Sequence, residues 1–336
     1  MWQKFSSALP RVQQDVYYTP EYLELYANDT TSANCYAYVE QDNIYIYPFM
    51  LGEIPGARGY FDICTPYGYG GPVANTTDQG FIRLAYETFY REAVKRNVIA
   101  EVIKFHPLLD NSECLADIYH GKILRMCQTV YVDLTENEDR LWSAIYTHAN
   151  RKNINKALRQ GIKVRFDQSQ EAWGAFLELY EATMIENKAA GFYFFSPGYY
   201  RSLRETMAEH YVLVSCWLDG RAIAVMLVLL GNTMAHCHLL GIDRAVLSTG
   251  VGNYLHHELI GWCRGTGYRY LHIGGGRGNE ESDPLLSYKK NFSDRTATFY
   301  VGESIFNEEV YQDVCARWEN LNVKREPSGR LLKYRH

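Results

Sequence analysis

Histidines concentrate in the second half of the chain, where five of the ten fall within residues 236–272. His236 and His238 alternate on a predicted strand, so both imidazoles would lie on one face, as in a metal-binding pair. No third ligand stands at a fixed short spacing, so we predict no metal site. A buried pair, a substrate-lining pair and a proton relay through His238 stay open. His272 ends a predicted strand before Gly274, where side chains of α/β sheets face ligands.

A glycine-rich turn, residues 248–253, precedes a predicted helix that ends near residue 265. The turn contains Gly250, Gly252 and Asn253. Backbone N–H groups and the dipole at a helix start can hold an anion, so these residues are candidates for binding a cofactor or donor. A tight turn into a helix would use the same glycines, and both interpretations stay open. An apolar stripe predicts that the helix packs on the sheet, with His257 pointing away into solvent.

A basic run lies between residues 151 and 165, which include six lysines and arginines and no acid. This density of charge could hold a phosphate or pyrophosphate. Residues 152, 156, 159 and 163 also follow a near-helical spacing, so a solvated helix face is an equal alternative. The whole chain has a net charge of -5. That charge argues against a DNA-binding protein, because affinity for phosphate backbones comes from clustered lysine and arginine.

The histidines and the glycine-rich turn belong to a structural unit that the chain contains twice. The first copy consists of strands at 35–39, 44–49 and 60–63, a glycine-rich segment at 65–72, a helix at 79–96 and a strand at 98–105. The second consists of strands at 211–218, 221–230 and 233–240, the turn at 248–253, its helix and a strand at 268–273. The duplication predicts an α/β (α+β) fold with two domains, and a cleft between or beside them as the first place to look for a site.

Length and composition agree with two domains. The chain has 336 residues, of which 47% are hydrophobic, enough to bury a sizeable core. Its eight cysteines form no C-x-x-C pair, which indicates reduced core residues. The first residues lack the apolar segment of a signal peptide. The longest apolar stretch, 222–230, is far shorter than the roughly 20 residues of a membrane-spanning helix. We therefore expect a cytoplasmic protein without membrane insertion.

Capping signals place three further helices. Thr19 and Ser196 each put a hydroxyl directly before a proline, which is the preferred order at a helix start. Thr135 with Glu138 matches a capping box. The predicted helices cover residues 20–27, 136–147 and 197–208.

Seven segments in chain order resemble the FemABX family. They are 62–72 (DICTPYGYGGP), 151–157 (RKNINKA), 192–193 (FY), 239–241 (LLG), 253–262 (NYLHHELIGW), 272–276 (HIGGG) and 288–292 (YKKNF). The resemblance covers nearly the whole chain, and the segments are more specific together than each is alone.

The resemblance implies two tandem GNAT-like acyltransferase domains with mixed sheets. The repeated order of elements places the two domains at about 1–145, the acceptor side, and 146–310, the donor side, and the resemblance implies that a C-terminal helix and tail, 311–336, packs on the first domain. Well-understood members of the family move an amino acid from aminoacyl-tRNA to an amine of a peptidoglycan precursor. The branch with the 65–72 motif also resembles acyl-CoA-dependent N-acyltransferases. Either compound is therefore expected as the donor substrate, and no tightly bound cofactor is expected.

Roles for individual residues also follow from the resemblance. Lys289 matches a lysine implicated in stabilising the acyl-transfer intermediate, and Tyr288 replaces a phenylalanine while keeping a ring that can stack. Five further residues match substrate-facing positions: Arg151 and Lys156 on a basic helix, Tyr67 and Tyr69 in a first-domain loop, and Tyr193.

Two features depart from the family patterns. Leu247 occupies the position where a GNAT pyrophosphate loop has arginine or glutamine, which weakens a conventional CoA site. The long helical arm of some members is absent, which removes one proposed contact with tRNA.

Amide formation from an activated ester needs a free amine, a positioned carbonyl and a donor for the oxyanion, but no covalent enzyme intermediate. Lys289 could stabilise the oxyanion or bind an acceptor phosphate, while His272 or His238 relays the amine proton. We therefore predict an acyltransferase or aminoacyltransferase that acts on a cell-envelope precursor. An inactive protein that binds an envelope glycan or peptide, and a metal-dependent hydrolase, are the alternatives. The acceptor, the transferred group and the oligomeric state are not predicted.

Overall fold

The computed structural model describes residues 2–278, 280, 282–322 and 331–335. The strands of these residues are β1 Thr31–Glu40, β2 Asn43–Ile54, β3 Ala57–Cys64, β4 Val73–Ala74, β5 Val98–Lys104, β6 Lys122–Asp133, β7 Lys163–Asp167, β8 Tyr211–Leu218, β9 Arg221–Leu230, β10 Met234–Ile242, β11 Tyr270–Gly275 and β12 Thr296–Ile305. The α-helices are α1 Trp2–Ser6, α2 Pro20–Glu24, α3 Gln79–Lys95, α4 Glu138–Arg140, α5 His148–Arg159, α6 Gln170–Glu186, α7 Pro197–Thr206, α8 Val251–Gly265, α9 Pro284–Lys289 and α10 Glu308–Leu321.

The chain divides into two compact units. The first comprises Met1–Met126 together with Thr298–His336, and the second comprises Cys127–Ala297. The chain passes from one unit to the other within strands β6 and β12, whereas the sequence placed the divisions at 145/146 and 310/311. The roles predicted for the two domains remain a proposal.

Both units contain the repeated order of elements. In the first, β1, β2 and β3 form an antiparallel meander, α3 crosses over, and β5 returns parallel to β3 with β12 antiparallel beyond it. In the second, β7 to β10 form the meander, α8 crosses over, and β11 returns parallel to β10 with β6 antiparallel beyond it. The helices are necessary because parallel neighbours need a long crossover connection. The predicted mixed α/β class is confirmed.

Helices cover the sheet of the first unit. The apolar stripe of α3, which includes Phe81, Ala85 and Phe89, packs on β2 through residues such as Tyr47. Helix α10 packs in a separate cluster that also contains residues of β2 and β5, together with Leu332 from the C-terminal segment.

Helices also cover the sheet of the second unit. The predicted stripe of α8 is buried in the core through Val251, Leu255, Leu259 and Cys263. Helix α6 lies so close to β10 that a Cβ atom at Gly241 would be 2.4 Å from the backbone nitrogen of Tyr180. None of the helices in the described part of the chain has the length and apolar character of a membrane span.

Candidate active site

The parallel strands β10 and β11 of the second unit pair over a short distance and then diverge. Their three paired positions run from Met234 with Tyr270 to His236 with His272. Immediately after them, β10 shifts register against β9 and β11 shifts register against β6. Such bulges bend a strand and increase its twist. The parallel ladder between the two strands therefore ends at His236 and His272, and the carboxyl ends of such strands are where ligands usually bind in α/β sheets.

The glycines at the end of β11 bring Lys289 against the backbone. Gly274 has a φ of 87°, in the left-handed region that favours glycine. A Cβ atom at Gly274 would lie 3.2 Å from Nζ of Lys289. The same Nζ donates a hydrogen bond to the carbonyl of Gly275 at 2.8 Å. The absence of side chains in this glycine run therefore leaves room for the ammonium group beside the end of β11.

Asp283 fixes the helix that carries this lysine. Its Oδ1 accepts hydrogen bonds from the backbone N–H groups of Leu285 and Leu286, at 2.8 and 2.9 Å, and caps α9. Its Oδ2 accepts from the N–H groups of Arg277 and Gly278, at 2.9 and 3.1 Å. These bonds, that from Leu286 foremost, hold the pKa of the carboxyl below its usual value. Sequence reasoning missed Asp283, although an aspartate before Pro284 is a capping signal.

Lys289 and the adjacent Lys290 differ in burial. Removal from water lowers the pKa of Lys289 to about 8, and the nearby Cys237 and Asp283 partly oppose this shift. The group is therefore mainly an ammonium ion at neutral pH. Lys290, in contrast, is exposed, and its Nζ donates to Oε1 of Gln128 at 3.2 Å.

Tyr288 forms a hydrogen-bonded pair with a histidine that sequence reasoning left without a role. The Tyr288 hydroxyl lies 3.3 Å from Nδ1 of His256, which itself lies 2.9 Å from the carbonyl of Gly252. Because a carbonyl only accepts, we assign the ring proton to Nδ1. Burial lowers the pKa of His256 to about 4 and raises the pKa of Tyr288. Both are therefore neutral at pH 7, and the phenol retains its own proton to donate.

The predicted histidines have other partners. The rings of His236 and His272 are both buried and meet edge to face with centroids 5.6 Å apart. Nε2 of His238 lies 3.3 Å from the hydroxyl of Tyr199, and burial lowers the pKa of His238 to about 3. The bulge in β10 falls between Cys237 and Leu239, so the simple alternation assumed for this strand does not hold.

His257 was expected to face solvent, and this was wrong. It is half-buried, with its Nδ1 3.4 Å from the hydroxyl of Tyr146 and its ring 5.4 Å from that of Trp142. The segment between β6 and α5 covers this part of α8, and α8's own periodicity gives no sign of it.

The glycine turn before α8 packs against α5. Gly250 has a φ of 83°, and a Cβ atom there would lie 2.3 Å from the carbonyl oxygen of Asn153. The amide of Asn253 donates to Oδ1 of Asn150 at 2.8 Å and accepts from Nδ2 of Asn153 at 3.3 Å. Gly252 instead lies against Tyr288, because a Cβ atom there would be 3.1 Å from the Tyr288 hydroxyl.

Two predicted substrate-binding cations donate to backbone carbonyls. Nη1 of Arg151 donates to Trp142 at 2.8 Å and to Tyr146. Nζ of Lys156 donates to the carbonyl of Ser248 at 2.6 Å. Both therefore hold segments of the second unit in place around α5.

The predicted substrate-facing tyrosines lie in aromatic surroundings. In the first unit, the carbonyl of Tyr67 accepts from the hydroxyl of Tyr22 at 2.6 Å, and the ring of Tyr69 meets that of Tyr17 edge-on at 5.6 Å. In the second unit, the ring of Tyr193 lies 4.1 Å from that of Phe192.

The second unit matches a known domain family, and the chain shares its fold with solved structures. Residues 148–290 match a model of the acetyltransferase (GNAT) domain, and this range contains β10, β11 and Lys289. A crystal structure of FemX superposes with a TM-score of 0.72 at 13% identity, covering 93% of this chain and 96% of that one. The chain has the fold of FemX. This confirms, at the level of fold, the resemblance to the FemABX family.

Two further structures share the fold. The C-terminal DUF2156 domain of a lysylphosphatidylglycerol synthetase candidate from Agrobacterium fabrum matches with a TM-score of 0.57 at 14% identity, covering 96% of this chain and 97% of that one. The structure of L-PGS from Bacillus licheniformis gives 0.56 at 14% identity, with 89% and 96% covered. No curated protein matches the sequence. The GNAT domain supports N-acyl transfer as the general class of reaction.

Proposed function

We propose that the chain is an N-acyltransferase that moves an aminoacyl or acyl group to an amine of a cell-envelope precursor, such as the peptide of peptidoglycan. The donor is an activated ester or thioester, aminoacyl-tRNA or acyl-CoA. The observation that carries this proposal is the divergence of β10 and β11 with Lys289 and Tyr288 beside it. A neutral phenol and a half-buried ammonium beside the point where the two strands part suit a reaction that develops charge on a carbonyl oxygen and on a leaving group.

The strand edges bind the donor in this proposal. An extended chain can add to an open edge through backbone hydrogen bonds, and side chains around it then select the group that is carried. Gly252 leaves room for the donor next to the Tyr288 hydroxyl. Gly250 and Asn253 contribute by fixing the turn against α5, and through the N–H groups at the start of α8.

The acceptor amine attacks the donor carbonyl and forms the new C–N bond. Negative charge develops on the carbonyl oxygen, and the ammonium of Lys289 stabilises it. The hydrogen bond from Nζ to Gly275 uses one of three N–H groups, so two remain for the oxyanion.

Cleavage of the C–S or C–O bond releases a thiolate or an alkoxide, which needs a proton. Tyr288 passes a proton to the leaving group and regains one from solvent after the product leaves, and His256 orients the phenol. The amine loses its own proton as the amide forms, and His272 or His238 relays it. Because the pKa of His238 is about 3, this residue could pass a proton onward but would hold one weakly.

The remaining predicted residues are candidates for substrate binding. Tyr67 and Tyr69 are candidates for binding the acceptor in the first unit, and Tyr193 is a candidate for binding substrate in the second. Arg151 and Lys156 contribute the N–H groups that the backbone carbonyls leave over.

Mass spectrometry of products tests the proposal. The purified chain is offered aminoacyl-tRNA and acyl-CoA separately, each with an amine-bearing peptidoglycan precursor. We expect an amide product with one donor, whose formation depends on Lys289. Release of the free acid without an amide would instead support hydrolysis. Saturable binding of the precursor with no product from either donor would support a binding protein.

A further inference from the structure

A groove lies between α6 and α7 of the second unit and has no part in the proposed transfer chemistry. It encloses about 790 Å³. Residues from one face of each helix and from the connecting segment line it: Trp173, Leu177, Tyr180, Glu181, Phe194, Phe195, Pro197, Tyr200, Arg201, Arg204 and Glu205. On both helices these positions recur at three- and four-residue intervals, so two complementary faces point at each other without filling the space between them.

The floor of the groove is aromatic. The indole of Trp173 is only 1% exposed and meets the ring of Tyr200 at 6.5 Å, which in turn meets Phe195 at 6.2 Å. At the rim, the side chain of Phe194 is 44% exposed. Burial raises the pKa of Tyr200 to about 12, so its hydroxyl is neutral. The buried indole supports the accessible rings of Phe194, Phe195 and Tyr200, which can bind an apolar body at low entropic cost.

The walls carry both signs of charge. Two arginines and two glutamates contribute, so the groove has no net charge. The guanidinium of Arg204 stacks 5.3 Å from the ring centroid of Trp173, and its Nη2 donates to Oε1 of Gln170 at 2.8 Å. Arg201 lies three residues before it on α7. Their planar guanidinium groups suit a carboxylate, while Glu181 and Glu205 suit an ammonium.

We propose that this groove binds a zwitterionic peptide, with an apolar side chain on the aromatic floor, its carboxylate at Arg201 and Arg204, and its ammonium at Glu181. The balance of charge selects this class of ligand. A phosphate or nucleotide would meet the two glutamates, a polyamine would meet the two arginines, and a neutral sugar would match neither sign of charge.

Both helices of the groove are anchored on the strand that diverges. Helix α6 packs on Gly241 of β10, and Tyr199 of α7 contacts His238 at the bulge of the same strand. A bound peptide would therefore lie over the opposite side of β10 from α8. Peptide binding to the groove requires no transfer reaction, so it can be measured without any donor.

Isothermal titration calorimetry of the full chain with alanyl-phenylalanine tests the proposal. We expect saturable binding. The amide of this dipeptide lacks the carboxylate, and its N-acetyl derivative lacks the ammonium, so each should bind at least about tenfold more weakly, as expected for loss of a charge-assisted hydrogen bond. Inorganic phosphate should not bind.

Variants that remove charges from the groove test which residues bind each end of the peptide. Arg201→Gln combined with Arg204→Gln should weaken the dipeptide about tenfold and leave its amide unchanged, while Glu181→Gln should weaken the dipeptide and leave the N-acetyl form unchanged. Arg317→Gln, an exposed arginine of the first unit paired with Asp313, is the matched control and should change nothing. Absence of saturable binding, equal affinity for all three peptides, or equal losses for the dipeptide and its amide in the arginine variant would overturn the proposal.

Discussion

The two units have the same order of elements, but their pairs of parallel strands continue differently. In the second unit, β10 and β11 diverge after three paired positions. In the first, the segment after β3 continues along β5. The N–H of Thr65 donates to Val102 at 3.2 Å, and the N–H of Gly70 donates to Lys104 at 2.8 Å.

Side chains complete this closure in the first unit. Thr65 Oγ1 accepts from the N–H of Lys104 at 3.0 Å. Asn111 donates to the carbonyls of Gly70 and Pro72 at 2.8 and 3.1 Å. The glycine-rich motif that the sequence assigned to the acceptor therefore satisfies the edge of β5 with the chain's own backbone.

This difference indicates which strand edge could bind a donor. A strand edge that is already paired offers little to an extended ligand, whereas a diverging pair offers two edges. The match to the GNAT domain model, residues 148–290, lies in the unit with the divergence. In the proposed reaction, the donor would therefore bind the second unit.

The largest expected effect is at Lys289. Lys289→Met keeps most of the volume and removes the cation, so turnover should fall by about 10²- to 10³-fold, as for loss of an oxyanion donor. Lys290→Met, which changes the exposed neighbour, should leave turnover unchanged. Turnover with the acceptor and melting temperature are measured for both variants. Equal turnover in both variants and the parent would remove Lys289 from the mechanism.

Tyr288→Phe should lower turnover by about 10²-fold, because it removes the proton donor but keeps the ring. His256→Gln should have a smaller effect, since it changes only the orientation of the phenol. A donor whose leaving group has a low pKa needs no proton and should restore the rate of Tyr288→Phe. A variant that is impaired equally with both kinds of donor would contradict the role of the hydroxyl.

The rate should also depend on pH through Lys289. Its pKa is about 8, below the ordinary value of 10.5, so the ammonium form is present below pH 8 and is lost above it. Turnover should decline about tenfold per pH unit above that point. Profiles of kcat between pH 6 and 10 would show the decline in the parent. A Lys289→Met profile with the same decline would assign it to another group.

The smallest effect concerns the closed edge of the first unit. Gly71 has a φ of 88°, and a Cβ atom there would lie 2.9 Å from Cγ2 of Ile103. Gly71→Ala should therefore lower the free energy of unfolding by about 1–3 kcal/mol, measured in urea. The control Gly174→Ala, on α6 with no atom within 4 Å of the new Cβ, should raise it by about 0.5–1 kcal/mol. A loss of stability in both variants would argue against backbone strain at Gly71.

Local signals in the sequence predicted much of the fold. Thr19 and Ser196 cap α2 and α7 by accepting from backbone N–H groups three residues on, as expected. The helix after residue 135 starts later than predicted, because Asn137 caps it while Thr135 bonds to Asp133. Helix capping depends on residues that are close together in the sequence. The predicted helix starts were therefore nearly right.

The site depended on information that is not local. The bulges of β10 and β11 reflect pairing with neighbouring strands, and periodicity cannot show register. His256 and Tyr288 lie on different helices, so their contact was invisible along the chain. Lys289 came from family resemblance, since its burial and low pKa arise only when the glycines of β11 approach it.

The chain's passage between units within β6 and β12 has a consequence for biosynthesis. β5 is synthesised before the second unit, but its antiparallel neighbour β12 is completed only after that unit. The two strands pair with Ser304 opposite Glu101. A nascent chain that ends at residue 297 therefore has all of the second unit and an open edge on β5. We expect the unit that is translated later to become protease-resistant first, and limited proteolysis of ribosome-bound chains would reveal the reverse order if β5 needs no partner.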